Sequence, residues 1–168
     1  MKNLVLIGMP GSGKTKMGQL LSARFGLPLL DTDAMVVEAA GMTIPELFDR
    51  FGEVHFRDLE SQAAVKAAQA TGAVIATGGG MVLREENMAA LAKTGIIFFR
   101  DRPPQAIVGE DHKGRPLLAG DAQRVYRLYQ ERIGLYKRYA HHTIAPTDTY
   151  QEAAEQIAAI FEKEANTP

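Results

Sequence analysis

Asn3-Leu4-Val5-Leu6-Ile7 runs directly into Gly8-Met9-Pro10-Gly11-Ser12-Gly13-Lys14-Thr15, and a helical pattern opens at Lys14 and continues to Phe25. The eight residues from Gly8 satisfy G-x-x-x-x-G-K-[ST] in the setting that gives the motif its meaning, an apolar strand before it and a helix after it. That geometry turns successive backbone N–H groups and a helix N-terminus toward one point, where a phosphate is stabilised. Glycines allow the tight turn and the close approach. Lys14 reaches the β- and γ-phosphates, and the Thr15 hydroxyl is a magnesium ligand. The plain alternative is a glycine turn ahead of an ordinary helix.

Further strands surround this one. Ala73–Ala76 and Ile96–Phe99 are apolar runs bounded by turn residues, and weaker candidates lie at Leu27–Leu30 and Thr143–Ala145. Helical patterns fall at Lys14–Phe25, Ile44–Phe51, Val54–Gln69 and Ala122–Tyr139, with a last apolar stripe at Ala153, Ile157, Ile160 and Phe161. Strands without polar alternation, separated by helices, predict an α/β three-layer fold: a central parallel sheet of about five strands with helices on both faces. Ligands of such folds bind beyond the carboxyl ends of the strands. The stretch from Gly109 to Gly120 has three glycines and several charges, so it reads as an exposed, mobile loop.

Composition narrows the field of functions. With 168 residues and 46% hydrophobic, the chain suffices for one core, and a single domain spanning 1–168 is expected. Its 19 basic and 20 acidic side chains are spread evenly, which argues against nucleic acid or an anionic membrane as partner. No cysteine is present, so disulfides, thiolate zinc sites and cysteine nucleophiles are excluded. The apolar start is too short to span a bilayer, and the cytoplasm is the expected location.

The motif fixes a nucleoside triphosphate donor and leaves the acceptor open. Many relatives of this loop place a magnesium-organising acid at the end of a neighbouring strand. Here Ala73–Ala76 leads into Thr77-Gly78-Gly79-Gly80, with no acid. Asp31 and Asp33 are the candidates instead, at the end of the Leu27–Leu30 run. If Asp31-Thr32-Asp33 stays extended, both carboxylates face one way, one toward hydrated magnesium and one toward an acceptor hydroxyl. The alternative for Asp33 is that it caps a helix starting at Ala34. Arg57 and Glu60 share a helix face, and a guanidinium held by a carboxylate suits an anionic substrate. The triple glycine lets backbone N–H groups approach a ligand unobstructed, and Arg132 is a second candidate for a carboxylate. The pair His141-His142 reads as structure, without ligands at metal spacing.

Taken together and in order, these strings resemble the shikimate kinase family over nearly the whole chain. They are the Gly8–Thr15 loop, Leu30-Asp31-Thr32-Asp33, Gly52 through Glu60, Ala76-Thr77-Gly78-Gly79-Gly80, Arg115-Pro116-Leu117-Leu118, and Arg132 with Leu135-Tyr136 and Ala140. The resemblance implies transfer of a phosphoryl group from ATP, with Mg2+, to the 3-hydroxyl of shikimate. It implies nucleotide contacts at Gly11, Ser12, Gly13, Lys14, Thr15, Lys16 and Arg115, with Lys14, Arg115 and Asp33 catalytic. Shikimate ligands are implied at Asp33, Arg57, Gly79, Gly80 and Arg132, with Phe48 and Phe56 as apolar walls. Thr15 would bind magnesium directly and Asp31 through water. A substrate-binding helical region of about 33–60, a lid of about 109–120 and a monomer complete the picture.

Three positions depart from the family pattern. Thr143-Ile144-Ala145-Pro146 stands where a basic residue often stacks on adenine. Pro103 to Glu110 lacks a common arginine, for which Arg102 or Lys113 are stand-ins. Ile133-Gly134 replaces the usual proline after Arg132. A kinase of gluconate or another small acid, and a nucleotide-binding regulatory module without catalysis, are the competing readings.

Overall fold

Side chains alternate across a strand, so an apolar strand of five residues can feed two separate cores. This happens in β1 (Asn3–Ile7) of the computed structural model, which describes residues 1–109 and 122–167. Leu4 and Leu6 pack on one face with Val74, Ile96 and Phe98. Val5 and Ile7 pack on the other with Ile75, Ile97 and Phe99. Both faces of the sheet are therefore covered, as the absence of polar alternation predicts.

Five parallel strands form that sheet in the order β2-β3-β1-β4-β5. They are β2 (Leu29–Asp31), β3 (Val74–Ala76), β4 (Gly95–Arg100) and β5 (His142–Ile144) around the central β1. Register pairs Val5 with Ile75 on one side and with Ile97 on the other. Seven helices cover the sheet among the described residues: α1 (Lys14–Phe25), α2 (Thr32–Ala40), α3 (Ile44–Ala68), α4 (Glu85–Thr94), α5 (Pro104–Val108), α6 (Ala122–Tyr139) and α7 (Tyr150–Ala165). The two helical segments expected on either side of Gly52 are present. They meet at that glycine, whose φ of 85° lies outside helical space and bends α3.

Two local differences from the sequence reading have clear causes. Strand β2 lies further along than the apolar run at 27–30: Pro28 has no N–H and contributes only its carbonyl, which accepts from the Val74 N–H (2.9 Å), and residue pairing runs from Leu29 to Asp31. Asp31-Thr32-Asp33 does not stay extended. Asp31 is the N-cap of α2, its Oδ1 accepting from the N–H of Asp33 (3.0 Å) and of Ala34 (3.2 Å). The capping role considered for Asp33 thus belongs to Asp31, and Asp33 occupies the first turn of the helix. Residues 110–121, with Arg115, Lys113 and nearly all of the expected lid, lie outside the described residues.

Candidate active site

The five strands deliver Gly8, Asp31, Thr77, Asp101 and Ala145 to one edge of the sheet. A cleft of about 570 Å³ opens there, within the ordinary range for a small-molecule site. Pro10, Gly11, Gly13, Lys14, Thr15, Lys16, Asp31, Asp33, Phe56, Arg57, Glu60, the triple glycine and Arg132 line it. Two halves predicted independently, one for a phosphate donor and one for an acidic acceptor, therefore share a single cleft.

On the donor side the loop turns through positive φ at Gly11 (78°) and Gly13 (89°), which glycine adopts without strain. The Lys14 ammonium is buried and folds back on the loop, donating to the carbonyls of Gly8 (2.6 Å) and Met9 (2.8 Å). Ser12 Oγ is buried and has no hydrogen-bond partner among the described residues. Thr15 Oγ1 lies 3.4 Å from Asp31 Oδ2, so the hydroxyl and carboxylate singled out for magnesium stand side by side at the cleft. Hard oxygen donors of this kind suit Mg2+, which retains most of its water and takes few protein ligands.

On the acceptor side, Asp33 is held against the triple glycine. The Gly78 N–H donates to Thr32 Oγ1 (3.1 Å), and a Cβ at Gly78 would meet both the Asp33 and Glu60 carboxylates. Burial raises the Asp33 carboxyl above its ordinary value, and the Asp31 charge adds to this, while Lys14 and Arg57 oppose it. Arg57 forms the expected pair with Glu60 (2.9 Å), with a longer contact to Glu53 (3.4 Å). Its Nε is buried and unpartnered among the described residues, so one donor of the fork remains for an incoming anion. Gly80 is pressed against this guanidinium, since a Cβ would collide with Arg57 Nη1. Glu60 is itself pushed up by burial, with Arg57 pulling it down most strongly among its neighbours and Arg132 acting in the same direction.

Phe56 is buried on the cleft wall and supports the Arg57 guanidinium 5.1 Å from its ring centre. Phe48 packs on Phe56 at 4.9 Å but is 38% exposed, a neighbour of the wall more than the wall. Of the proposed stand-ins, Arg102 donates to the Gly11 carbonyl (2.8 Å) and Tyr150 Oη (3.0 Å), so it serves the loop. His141 Nδ1 accepts from the Ile97 N–H (2.8 Å) and His142 pairs with Glu164 (2.6 Å), structural roles for both.

Several participants were not identified from sequence. Arg124 and Leu128 line the cleft, and Tyr136, fully buried, donates from its hydroxyl to the Gly79 carbonyl (2.7 Å). The signal existed, because 124, 128, 132 and 136 recur every four residues and lie on one face of α6. Arg100 gave no such signal. It is buried and donates to the Ser12 carbonyl (3.0 Å), and its place in an apolar strand concealed a contact 88 residues away.

The family model for shikimate kinase matches residues 10–162. A shikimate kinase of Clostridium botulinum is 40% identical over 163 residues, covering 96% of this chain and 98% of its own. Among solved structures, a shikimate kinase from Acinetobacter baumannii in complex with shikimate superposes with a TM-score of 0.90 at 30% identity, covering 99% of this chain and 96% of that one. A gluconokinase from Sinorhizobium meliloti, at 15% identity and a TM-score of 0.62 over 96% and 92% of the two chains, shares the fold alone.

Proposed function

Since this chain belongs to the shikimate kinase family, we propose that its cleft transfers the γ-phosphoryl group of ATP to the 3-hydroxyl of shikimate, with Asp33 on that hydroxyl and Arg57 and Arg132 on the carboxylate. The enzyme is a phosphotransferase that acts on shikimate, as its relatives are. One observation carries the residue assignment: Asp33, Arg57, Arg132 and the triple glycine line the same cleft as Lys14 and Thr15.

Phosphoryl transfer asks a protein mainly for alignment and for charge where charge develops. The loop N–H groups of Gly11 and Gly13, the unpartnered Ser12 hydroxyl and the Lys14 ammonium hold the phosphates in this reading, with Lys16 at the rim and Arg115 closing from the lid. Lys14 exchanges its hold on the Gly8 and Met9 carbonyls for phosphate oxygens. Thr15 would hold magnesium directly and Asp31 through water, and the ion would supply neutralisation of phosphate charge. Asp33 accepts a hydrogen bond from the acceptor hydroxyl and orients it. Its raised pKa makes it a better proton acceptor than an ordinary aspartate. Arg57, steadied by Glu60, presents its free Nε to the substrate carboxylate, and the Gly79 and Gly80 N–H groups contact the ring substituents. Neutral polyols are rejected because they would leave buried guanidinium groups without an anion. Adenine specificity follows from the family.

The same proposal treats residues 1–168 as one domain acting as a monomer in the cytoplasm, because donor and acceptor halves share one sheet edge. Sedimentation at working concentration checks the monomer. For the reaction, coupled ADP release across shikimate, gluconate and a nucleoside monophosphate should favour shikimate. Faster turnover of either competitor would refute it. Arg57→Ala should raise KM for shikimate by an amount worth about 2–5 kcal/mol while ATP affinity stays, since it removes one partner of a buried ionic contact. Unaltered shikimate KM would exclude Arg57 from the carboxylate site.

A further inference from the structure

Buried backbone carbonyls must find donors, and in the loop from Gly8 to Gly13 most of those donors can be named. Gly8 and Met9 are served by the Lys14 ammonium, Met9 also by the Ser12 N–H (3.1 Å), and Gly13 by the Met17 N–H (2.9 Å). The carbonyls of Gly11 and Ser12 are served from far along the chain. Arg102 Nη1 donates to Gly11 O (2.8 Å) and Arg100 Nη1 to Ser12 O (3.0 Å). Tyr150 joins the two arginines. Its hydroxyl accepts from Arg102 Nη1 (3.0 Å), and its ring centre lies 4.8 Å from the Arg100 and 5.4 Å from the Arg102 guanidinium carbon. That ring also rests on Gly13, where any Cβ would collide with it.

No peptide here is cis, and in a trans peptide the carbonyl and the following N–H point in opposite directions. A guanidinium that pins the Ser12 carbonyl therefore directs the Gly13 N–H to the other side of the peptide plane, toward the cleft that Gly13 lines. Pinning the Gly11 carbonyl directs the Ser12 N–H, which closes the turn onto Met9. Each contact is charge-assisted, and Arg100 is buried, so the orientation is set without a ligand.

We propose that Arg100, Arg102 and Tyr150 are positioning residues for the nucleotide, a clamp across the end of β4 and the start of α7 that presets the phosphate-binding loop. None of the three lines the cleft of Lys14 and Asp33; they line a separate pocket with Pro146 and Thr147, and it is through the arginines' bonds to the loop carbonyls that they act on the phosphate site. Their contribution is preorganisation, the ordering of the loop before the phosphates arrive. The inference rests on the reading of Gly8–Thr15 as the ATP site.

Titration calorimetry of ADP with magnesium, and separately of shikimate alone, tests it on Arg102→Ala, Arg102→Lys and Arg102→Met, each with a thermal melt. Arg102→Ala should raise the Kd for ADP about tenfold, the size expected for one charge-assisted hydrogen bond, and leave that for shikimate within about twofold. Arg102→Lys, which keeps a charged donor, should recover part of the loss. Two results overturn the clamp: a folded Arg102→Ala with wild-type ADP affinity, or equal weakening of both ligands alongside a lowered Tm, which marks a merely structural role. Should Arg102→Ala not fold, wild-type ADP affinity in a folded Arg102→Met, which keeps the stem and lacks any donor, overturns it equally. A wild-type protein that takes no ADP would refute the nucleotide site itself, and is distinguishable from failure of the clamp.

Discussion

At Asp33, burial favours the protonated form, the neighbouring Asp31 charge assists, and Lys14 and Arg57 only partly offset them, so the carboxyl sits above its ordinary value of 3.8. A raised acid pKa means that the folded protein binds more protons than the unfolded chain between the two values, and stability falls as pH rises through that window. In the proposed reaction it is ionised Asp33 that orients the acceptor hydroxyl and accepts its proton, so the form that would serve the reaction is the one that costs the fold. Asp33→Asn should lower kcat by about a hundredfold, the range of a lost general base. Its Tm should match wild type below the ordinary aspartate value, exceed it increasingly through the window, and hold a constant gain above. Melts of both proteins across pH, beside kcat, measure this, and a lower Tm for the variant at neutral pH would contradict it. Asp31 contrasts with its neighbour. It accepts from the first N–H groups of α2 while its second oxygen stays within reach of Thr15 Oγ1, so one carboxylate caps a helix and faces the place proposed for magnesium.

Helix α6 turns Arg124, Leu128 and Arg132 to the cleft at successive turns, with Tyr136 one turn further on. Tyr136 stacks on Phe99 at 5.1 Å and holds the Gly79 carbonyl, which by the same trans-peptide geometry directs the Gly80 N–H. Burial pushes its phenol up to about 12, so it remains a donor throughout the working range. Tyr136→Phe keeps the stack and deletes the donor. It should raise KM for shikimate by a factor equivalent to about 0.5–1.5 kcal/mol with KM for ATP unchanged, and equal shifts in both constants would disprove a local role. This element also marks how far a sequence can be read. Asn3–Ile7 and the loop after it were legible because strand, turn and helix start are encoded by adjacent residues. Arg57 with Glu60 was legible because the partners are one helical turn apart. Periodicity puts Tyr136 on the face of α6 that bears Arg132, but its contact with Gly79 spans 57 residues and that of Arg102 with Gly11 spans 91, so local sequence names neither partner. Asp31 was placed at its strand end, whereas Asp33 proved helical and not extended, since whether a strand or a helix claims that residue depends on which side chain caps.

The whole molecule divides its two substrates between regions of different support. The phosphate-binding loop grows from β1, whose residues are buried between two extended cores on opposite faces of the sheet. Asp33 and Arg57 sit instead on α2 and α3, whose own cluster is small: Val36, Leu47, Phe56 and Ala63, with a few half-buried neighbours. Gly52 interrupts α3 within this region, so its first half lacks the continuous hydrogen bonding that would tie it to the second. Local opening is set by the apolar contacts a segment holds, and the acceptor region therefore opens at lower free energy than the sheet. Leu47→Ala concentrates on that difference, because the side chain is fully buried and belongs to the small cluster alone. The substitution should cost about 2–5 kcal/mol of local stability, typical for a buried leucine reduced to alanine. Hydrogen exchange resolved by segment should accelerate at residues 32–56 much more than in β1 or β4, with shikimate affinity falling while ADP affinity holds. Uniform acceleration across the sheet, or parallel loss of both ligands, would show that one cooperative unit supports both halves of the site.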